Sequence, residues 1–127
     1  MGERDHFISM EMAAIGMEMM AGWGAGAIEQ RLSMLTELIA EGVRDTGVRL
    51  AERHLRAPHI LSLGFAGSGF EGAGSKDGMP AGLVEGLASE GIYVAARLGR
   101  MRVSPHVFND EADADRFVAA LARRLRG

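Results

Sequence analysis

An α+β fold is predicted for this chain of 127 residues, with helices covering one face of a small, mainly antiparallel sheet. Two long segments with helical spacing of apolar residues come first, short apolar runs separated by Gly and Pro follow, and a helical segment closes the chain. The length fits one domain, which spans residues 1–127.

The first predicted helix, Met10–Met20, is unusually apolar. Ser9 can cap it, and Glu11 and Glu18 are its only charged residues. A helix that is apolar nearly all round is typical of a buried helix. Because methionine adapts to uneven surfaces, we also expect this helix to pack across an interface, so that the chain is not a monomer.

The remaining elements follow from local spacing and from Gly and Pro. Three further helices are predicted at Ala27–Thr46, from Pro80 to about Gly91, and at Glu111–Leu125. Strands are predicted at Val48–Leu50, His59–Phe65, Ile92–Ala96 and Arg100–Ser104. The last two strands are expected to pair across a turn at Leu98-Gly99.

Composition excludes several classes of function. The net charge of −3 and the pI of about 5.8 give no general case for binding nucleic acid or an anionic membrane. The absence of cysteine excludes disulfides, thiolate zinc sites and a cysteine nucleophile. No apolar run reaches the length of a membrane span, and the first residues do not resemble a signal peptide, so a cytoplasmic location is expected.

Two further motifs are weak. Gly67–Gly72 matches G-x-G-x-x-G, but loop residues follow it where a dinucleotide site requires a helix, so a surface loop is the better interpretation. His54 and His59 are not spaced to share one helix face and no carboxylate cluster joins them, so no metal site is predicted.

Arg102–Asn109 is the most informative segment. It places a cation before the rigid pair Ser104-Pro105, and a helix opening with carboxylates follows. A lone strand arginine would usually pair with a nearby acid on the surface. Here the guanidinium can bind a small carboxylate in a fixed, bidentate geometry, while Asn109 can cap the helix or order the turn.

This segment and three others resemble class V aminotransferase-fold enzymes, which use pyridoxal phosphate (PLP) and include selenocysteine lyases, cysteine desulfurases and isopenicillin N epimerase-like proteins. The other three are Gly2–Phe7, Arg56–Leu61 and Gly91–Gly99, and all four occur in family order. The resemblance implies the C-terminal small domain of such an enzyme.

The family resemblance implies specific roles for a few residues. Arg102 matches the arginine that binds the α-carboxylate of the amino-acid substrate, and Arg97 matches a recurrent arginine assigned with it to substrate binding. Ser104, His106 and Asn109 match signature positions that shape the turn. No residue is assigned to catalysis or to a metal.

The cofactor-binding half of the family has no counterpart in the sequence. PLP enzymes carry the cofactor on a lysine, and Lys76 in the glycine-rich loop is the only lysine, at no family position. We therefore expect no cofactor to be bound by this chain alone, and PLP only with a partner that supplies the large domain. Desulfurases also need a loop cysteine, so a persulfide mechanism is excluded for this chain.

Two functions remain open, and whether the chain is part of an enzyme depends on them. The chain is either the substrate-clamping small domain of a split or truncated PLP enzyme, not catalytic alone, or a non-catalytic remnant or assembly module with the same fold. An independent small-molecule binding domain that uses Arg102 is a third possibility, although its pocket would lack a second wall. The substrate and the reaction type are left open.

Overall fold

The computed structural model describes residues 7–65 and 78–126. In this part of the chain it contains four α-helices: α1 (Phe7–Trp23), α2 (Ala25–Gly42), α3 (Leu83–Ser89) and α4 (Glu111–Arg126). One antiparallel sheet is built from β1 (Leu61–Leu63), β2 (Ala95–Arg97) and β3 (Arg100–Val103). The predicted α+β class is therefore confirmed. The sequence predictions for Gly67–Gly72, Lys76 and Gly2–His6 concern residues outside the described ones.

The sheet has the order β1-β3-β2, so β3 is its central strand. On β1, Leu61 lies opposite Val103 and Leu63 lies opposite Met101, and all four side chains are buried. Because side chains alternate along a strand, the residues between them face the other side of the sheet. The register therefore gives the sheet one core face and one outer face.

Helices α2, α3 and α4 supply the rest of the core. Their apolar side chains recur at helical spacing and form one cluster with the core face of the sheet. The buried helix residues of this cluster are Ile39, Ala40, Leu83, Leu87, Ala114, Phe117, Ala120 and Leu121. The outer face of the sheet lies away from this core.

Helix α1 is longer than predicted and lies outside the core of the chain. It begins at Phe7, so Ser9 lies within the helix and does not cap it. None of its residues is buried, and Phe7, Met12 and Met17 are each more than 60% exposed. Among the described elements, its main contact is with α2. An apolar sequence indicates that a helix packs against another surface but does not identify that surface. The hydrophobic core formed by α2, α3, α4 and the sheet contains no residue of α1.

Several predicted boundaries shift. Helix α2 ends at Gly42 and a 3₁₀ turn, Arg44–Thr46, completes the predicted stretch before left-handed Gly47. The predicted strand Val48–Leu50 is reduced to a single bridge between Arg49 and Gly64. Strand β2 begins at Ala95, three residues later than predicted, and helix α3 begins at Leu83.

The turn between β2 and β3 is confirmed at Leu98-Gly99. Both residues have positive φ, 52° for Leu98 and 72° for Gly99, as a two-residue hairpin of type I′ requires. Glycine adopts this conformation freely, whereas leucine adopts it at a cost. This turn sets the register that places Arg97 opposite Arg100.

Glu90 directly follows α3 and connects the C-terminal end of this helix to α4. Its carboxylate accepts hydrogen bonds from Arg124 at 2.7 and 3.0 Å and from Arg123 at 2.7 Å. Its backbone carbonyl also accepts a hydrogen bond from Arg116. The hydrogen bond from Arg124, followed by that from Arg123, holds the pKa of the Glu90 carboxyl below its ordinary value of 4.5.

This lowered pKa makes stability depend on pH. Since the folded-state pKa lies below the unfolded value, the contribution of Glu90 is complete above about pH 4.5 and is lost as the pH falls through the folded pKa. We expect Glu90→Gln to lower the thermal midpoint at pH 7, and this difference from wild type to vanish in more acidic solution. Circular dichroism melts at a series of pH values measure it, with exposed Glu85→Gln in α3 as the matched control. A difference for Glu90→Gln that persists unchanged at low pH would contradict the assignment.

Candidate functional site

Arg102 lies at the centre of the sheet, on its outer face. Its neighbours across the strands are Ser62 on β1 and Ala95 on β2, both exposed. Arg102 is half-buried, and its side chain makes no hydrogen bond or ion pair with the described residues. A guanidinium carries five N–H donors, so this side chain keeps its capacity to bind an anion.

Two further arginines share the outer face but differ in what they contact. Arg100 donates from Nε to Ser62 Oγ at 2.7 Å and from Nη2 to the Ser62 carbonyl at 2.9 Å. Arg97 is exposed, lies opposite Arg100 and is a diagonal neighbour of Arg102. The structure thus brings the two predicted substrate-binding arginines to one face, and Arg102 is the less exposed of the two.

A cavity of about 270 Å³ opens beside Arg102. Arg102, Arg56 and Ser62 supply its polar lining. Its remaining lining residues are apolar, namely Ala51, Leu55, Ala57 and Ile60. Among the described residues no acidic side chain lines the cavity, so the polar part of this lining is cationic.

The segment before β1 brings Arg56 to this cavity. The Thr36 hydroxyl of α2 lies 3.0 Å from the carbonyl oxygen of Pro58, which anchors the segment on α2. From the next position of α2, Glu37 Oε1 lies 3.5 Å from Arg56 Nη2 and 3.5 Å from Arg53 Nε. Sequence reasoning assigned no role to Arg56, because its place beside Arg102 depends on a tertiary contact with α2.

The turn of residues 104–109, which contains the predicted signature positions, is stabilised by hydrogen bonds between its own residues. The Asn109 side chain accepts a hydrogen bond from the His106 backbone N–H at 2.9 Å, and the Asn109 N–H donates to the His106 carbonyl at 2.9 Å. The His106 ring also contacts the Phe108 ring, with centroids 5.6 Å apart. Of the two roles considered for Asn109, the hydrogen bonds favour ordering of the turn.

Asp110 and Asp113 form the cap of α4. The Asp113 N–H donates to Asp110 Oδ1 at 2.9 Å, and the Asp110 N–H donates to Asp113 Oδ2 at 3.3 Å. This reciprocal pair has the form of a capping box. Asn109 Nδ2 also donates to Asp113 Oδ2, and the pKa of Asp113 is lowered first by that bond and then by the bond from the Asp110 backbone.

Arg31 of α2 fixes the turn against the helical layer, and sequence reasoning missed it. It donates to both carboxylate oxygens of Glu111, at 2.6 and 3.2 Å, and to the Asn109 carbonyl at 3.1 Å. This bidentate contact lowers the pKa of Glu111 and raises that of Arg31. The acidic start of α4 is therefore part of a structural ion pair.

A second cavity, of about 350 Å³, is lined in part by residues of the turn. Ser104 and Asn109 line it together with Tyr93 and Phe108, and none of its lining residues is shared with the cavity of Arg102. Ser104 and Asn109, two of the predicted signature residues, therefore line a different cavity from the predicted substrate-binding Arg102.

The described residues do not fit a Schiff-base cofactor or a metal ion. Residues 7–65 and 78–126 contain no lysine, so they offer no side-chain amine to carry PLP. The same residues contain no group of three or more His, Cys, Asp or Glu side chains placed to hold a metal. In this part of the chain no helix combines the length and apolar content needed to cross a membrane.

Comparisons with known proteins support the fold. No family model and no curated protein matches the sequence. Among solved structures, a protein described as NifS-like matches with a TM-score of 0.61 and 20% identity, over 77% of this chain. The chain spans 28% of the length of that protein. At the level of the fold, this likeness supports the resemblance to class V PLP enzymes, and this chain has the fold of part of a NifS-like protein.

Proposed function

We propose that the chain is the substrate-clamping small domain of a PLP-dependent enzyme of the class V aminotransferase fold, acting on an amino acid. In this proposal Arg102 binds the α-carboxylate of the substrate. The reacting part of the substrate lies on a cofactor-binding large domain that these 127 residues do not contain. The chain is then not catalytic alone.

One observation carries the proposal. Arg102 is half-buried at the centre of the sheet, and within the described residues nothing pairs with its guanidinium. A structural arginine in a sheet of this kind is expected to bond a neighbour, as Arg100 bonds Ser62. An arginine whose N–H donors are all unpaired can offer them to a ligand carboxylate, and its planar fork suits two parallel hydrogen bonds.

The chemistry assigned to this chain is limited to binding and orientation. A bidentate guanidinium–carboxylate contact fixes both the position and the plane of the carboxylate. Holding a substrate in one orientation lowers the entropic part of the barrier for whatever reaction the large domain performs. Arg97, at the exposed edge of the same face, is proposed as a secondary contact.

The proposal predicts how the chain responds to PLP. Lys76 and the N-terminus are the only amines of the sequence, and no histidine precedes Lys76 as it does the family lysine. We expect titration with PLP, then borohydride reduction and mass spectrometry, to give no saturable label on the isolated chain. In the assembly with the large domain, the label is expected on a lysine of that domain. Specific, saturable labelling of Lys76 in the isolated chain would contradict the proposal that PLP binds only to the large domain.

A further inference from the structure

We infer that Arg56 is a second carboxylate-binding residue, which together with Arg102 makes the cavity beside β1 and β3 a site for a small aliphatic carboxylate. The inference rests on the proposed function in taking a carboxylate as the ligand. It goes beyond that function by adding a residue and by assigning a chemical class to the rest of the ligand.

The first argument is the state of the Arg56 guanidinium. Its side chain is 15% exposed, and Nε and Nη1 are buried without a hydrogen-bond partner among the described residues. Buried polar groups in proteins nearly always have a partner, and leaving a charged one unsatisfied is costly. Nε and Nη1 together carry three N–H donors, so Arg56, a residue that lines the cavity, has donors to offer an anion.

The second argument is that Glu37, the acid nearest to Arg56 among the ion pairs of the described residues, neutralises the Arg56 guanidinium only in part. Glu37 Oε1 lies 3.5 Å from Arg56 Nη2, which is too long for a strong charge-assisted hydrogen bond. The same oxygen also lies 3.5 Å from Arg53 Nε. Glu37 is thus shared between two arginines, and neither Nε nor Nη1 of Arg56 is bonded to it.

The third argument is the cavity itself. Arg56 and Arg102 line it together, Ser62 adds a hydroxyl, and its other walls are apolar side chains that include Leu55 and Ile60. Two guanidinium groups, with no acid among the described lining residues, favour an anionic head group. The apolar walls favour a short hydrocarbon chain attached to it.

The test uses butyrate as the probe and butyramide as its neutral isostere, at constant ionic strength. The readout is the NMR signal of each arginine Nε–H in the folded chain. We expect butyrate to cause saturable shifts of the Arg56 and Arg102 signals, whereas butyramide leaves them in place. No saturable shift with butyrate, or equal shifts with butyramide, would overturn the inference.

Matched variants distinguish binding of butyrate at this cavity from nonspecific attraction of butyrate to positive charge. Arg56→Gln is expected to weaken butyrate binding about tenfold, by the usual effect of a charged hydrogen bond. Arg126→Gln makes the same charge change at the exposed end of α4 and is expected to leave the affinity unchanged. Glu37→Gln is expected to tighten binding by about two- to fivefold, because it removes the competing carboxylate. Equal weakening by Arg56→Gln and Arg126→Gln would overturn the inference.

The outcomes also distinguish this inference from the proposed function. If Arg102→Lys impairs the assembled enzyme while Arg56→Gln leaves butyrate binding intact, the proposed function stands and the inference fails. If Arg56→Gln weakens butyrate binding while Arg102→Lys leaves the enzyme kinetics unchanged, the inference stands and the proposed function fails. The wild-type titration needs no variant, so the inference stays testable even if Arg56→Gln does not fold.

Discussion

Arg102→Lys is expected to lower kcat/KM for the amino-acid substrate by about 30- to 1,000-fold in the assembled enzyme. The fall corresponds to about 2–4 kcal/mol, the range for losing a desolvated bidentate charge-assisted pair. Lysine keeps the charge but cannot present two parallel N–H donors to a carboxylate. KM is expected to rise, because the contact already forms when the substrate binds.

The fold should survive this change, because the Arg102 side chain bonds no described residue. Steady-state kinetics with purified assembly measures the effect, and a thermal melt checks the fold. Arg126→Lys, at an exposed position of α4, provides the matched control and is expected to behave as wild type. Unchanged kinetics for Arg102→Lys would mean that Arg102 has a structural role only.

The second large effect is expected in self-association. Helix α1 exposes nine large apolar side chains along Phe7–Trp23, and exposed apolar patches of this kind mark interaction surfaces. We expect the purified chain to associate through α1, and Met17→Glu with Met20→Glu to return it to a monomer. The two positions are three residues apart, so the new charges fall on one face of the helix.

Sedimentation equilibrium across the micromolar range measures this association. The matched control places two glutamates on α4 instead, at the exposed positions Ala112 and Ala119, and should leave the association unchanged. A monomeric wild type, or an oligomer that tolerates both methionine substitutions, would count against α1 as the interface.

Elements determined by local sequence were predicted most closely. Helix α4 was recovered to within one residue because its apolar stripe, acidic first turn and basic last turn agree. The turn at Leu98-Gly99 was placed correctly because Gly99 readily adopts the positive φ that a two-residue hairpin requires. The outer-face position of Arg102 follows from alternation once the strand is known.

The features that were missed depend on contacts between distant residues. Arg31 meets Glu111 across 80 positions, and no local pattern indicates that pairing. Arg56 reaches the cavity only because α2 holds the segment around Pro58. The apolar composition of α1 predicts that the helix is buried but does not identify the partner surface. The helix lies outside the core of this chain, and its burial in an interface stays a prediction.

The most direct test of the proposed role of Arg102 is a crystal structure of the assembled enzyme with a bound, unreactive analogue of an amino-acid substrate. The account predicts two contacts of about 2.7–2.9 Å between the Arg102 guanidinium and the α-carboxylate oxygens. A carboxylate bound by other residues, with the Arg102 guanidinium left in solvent, would contradict it.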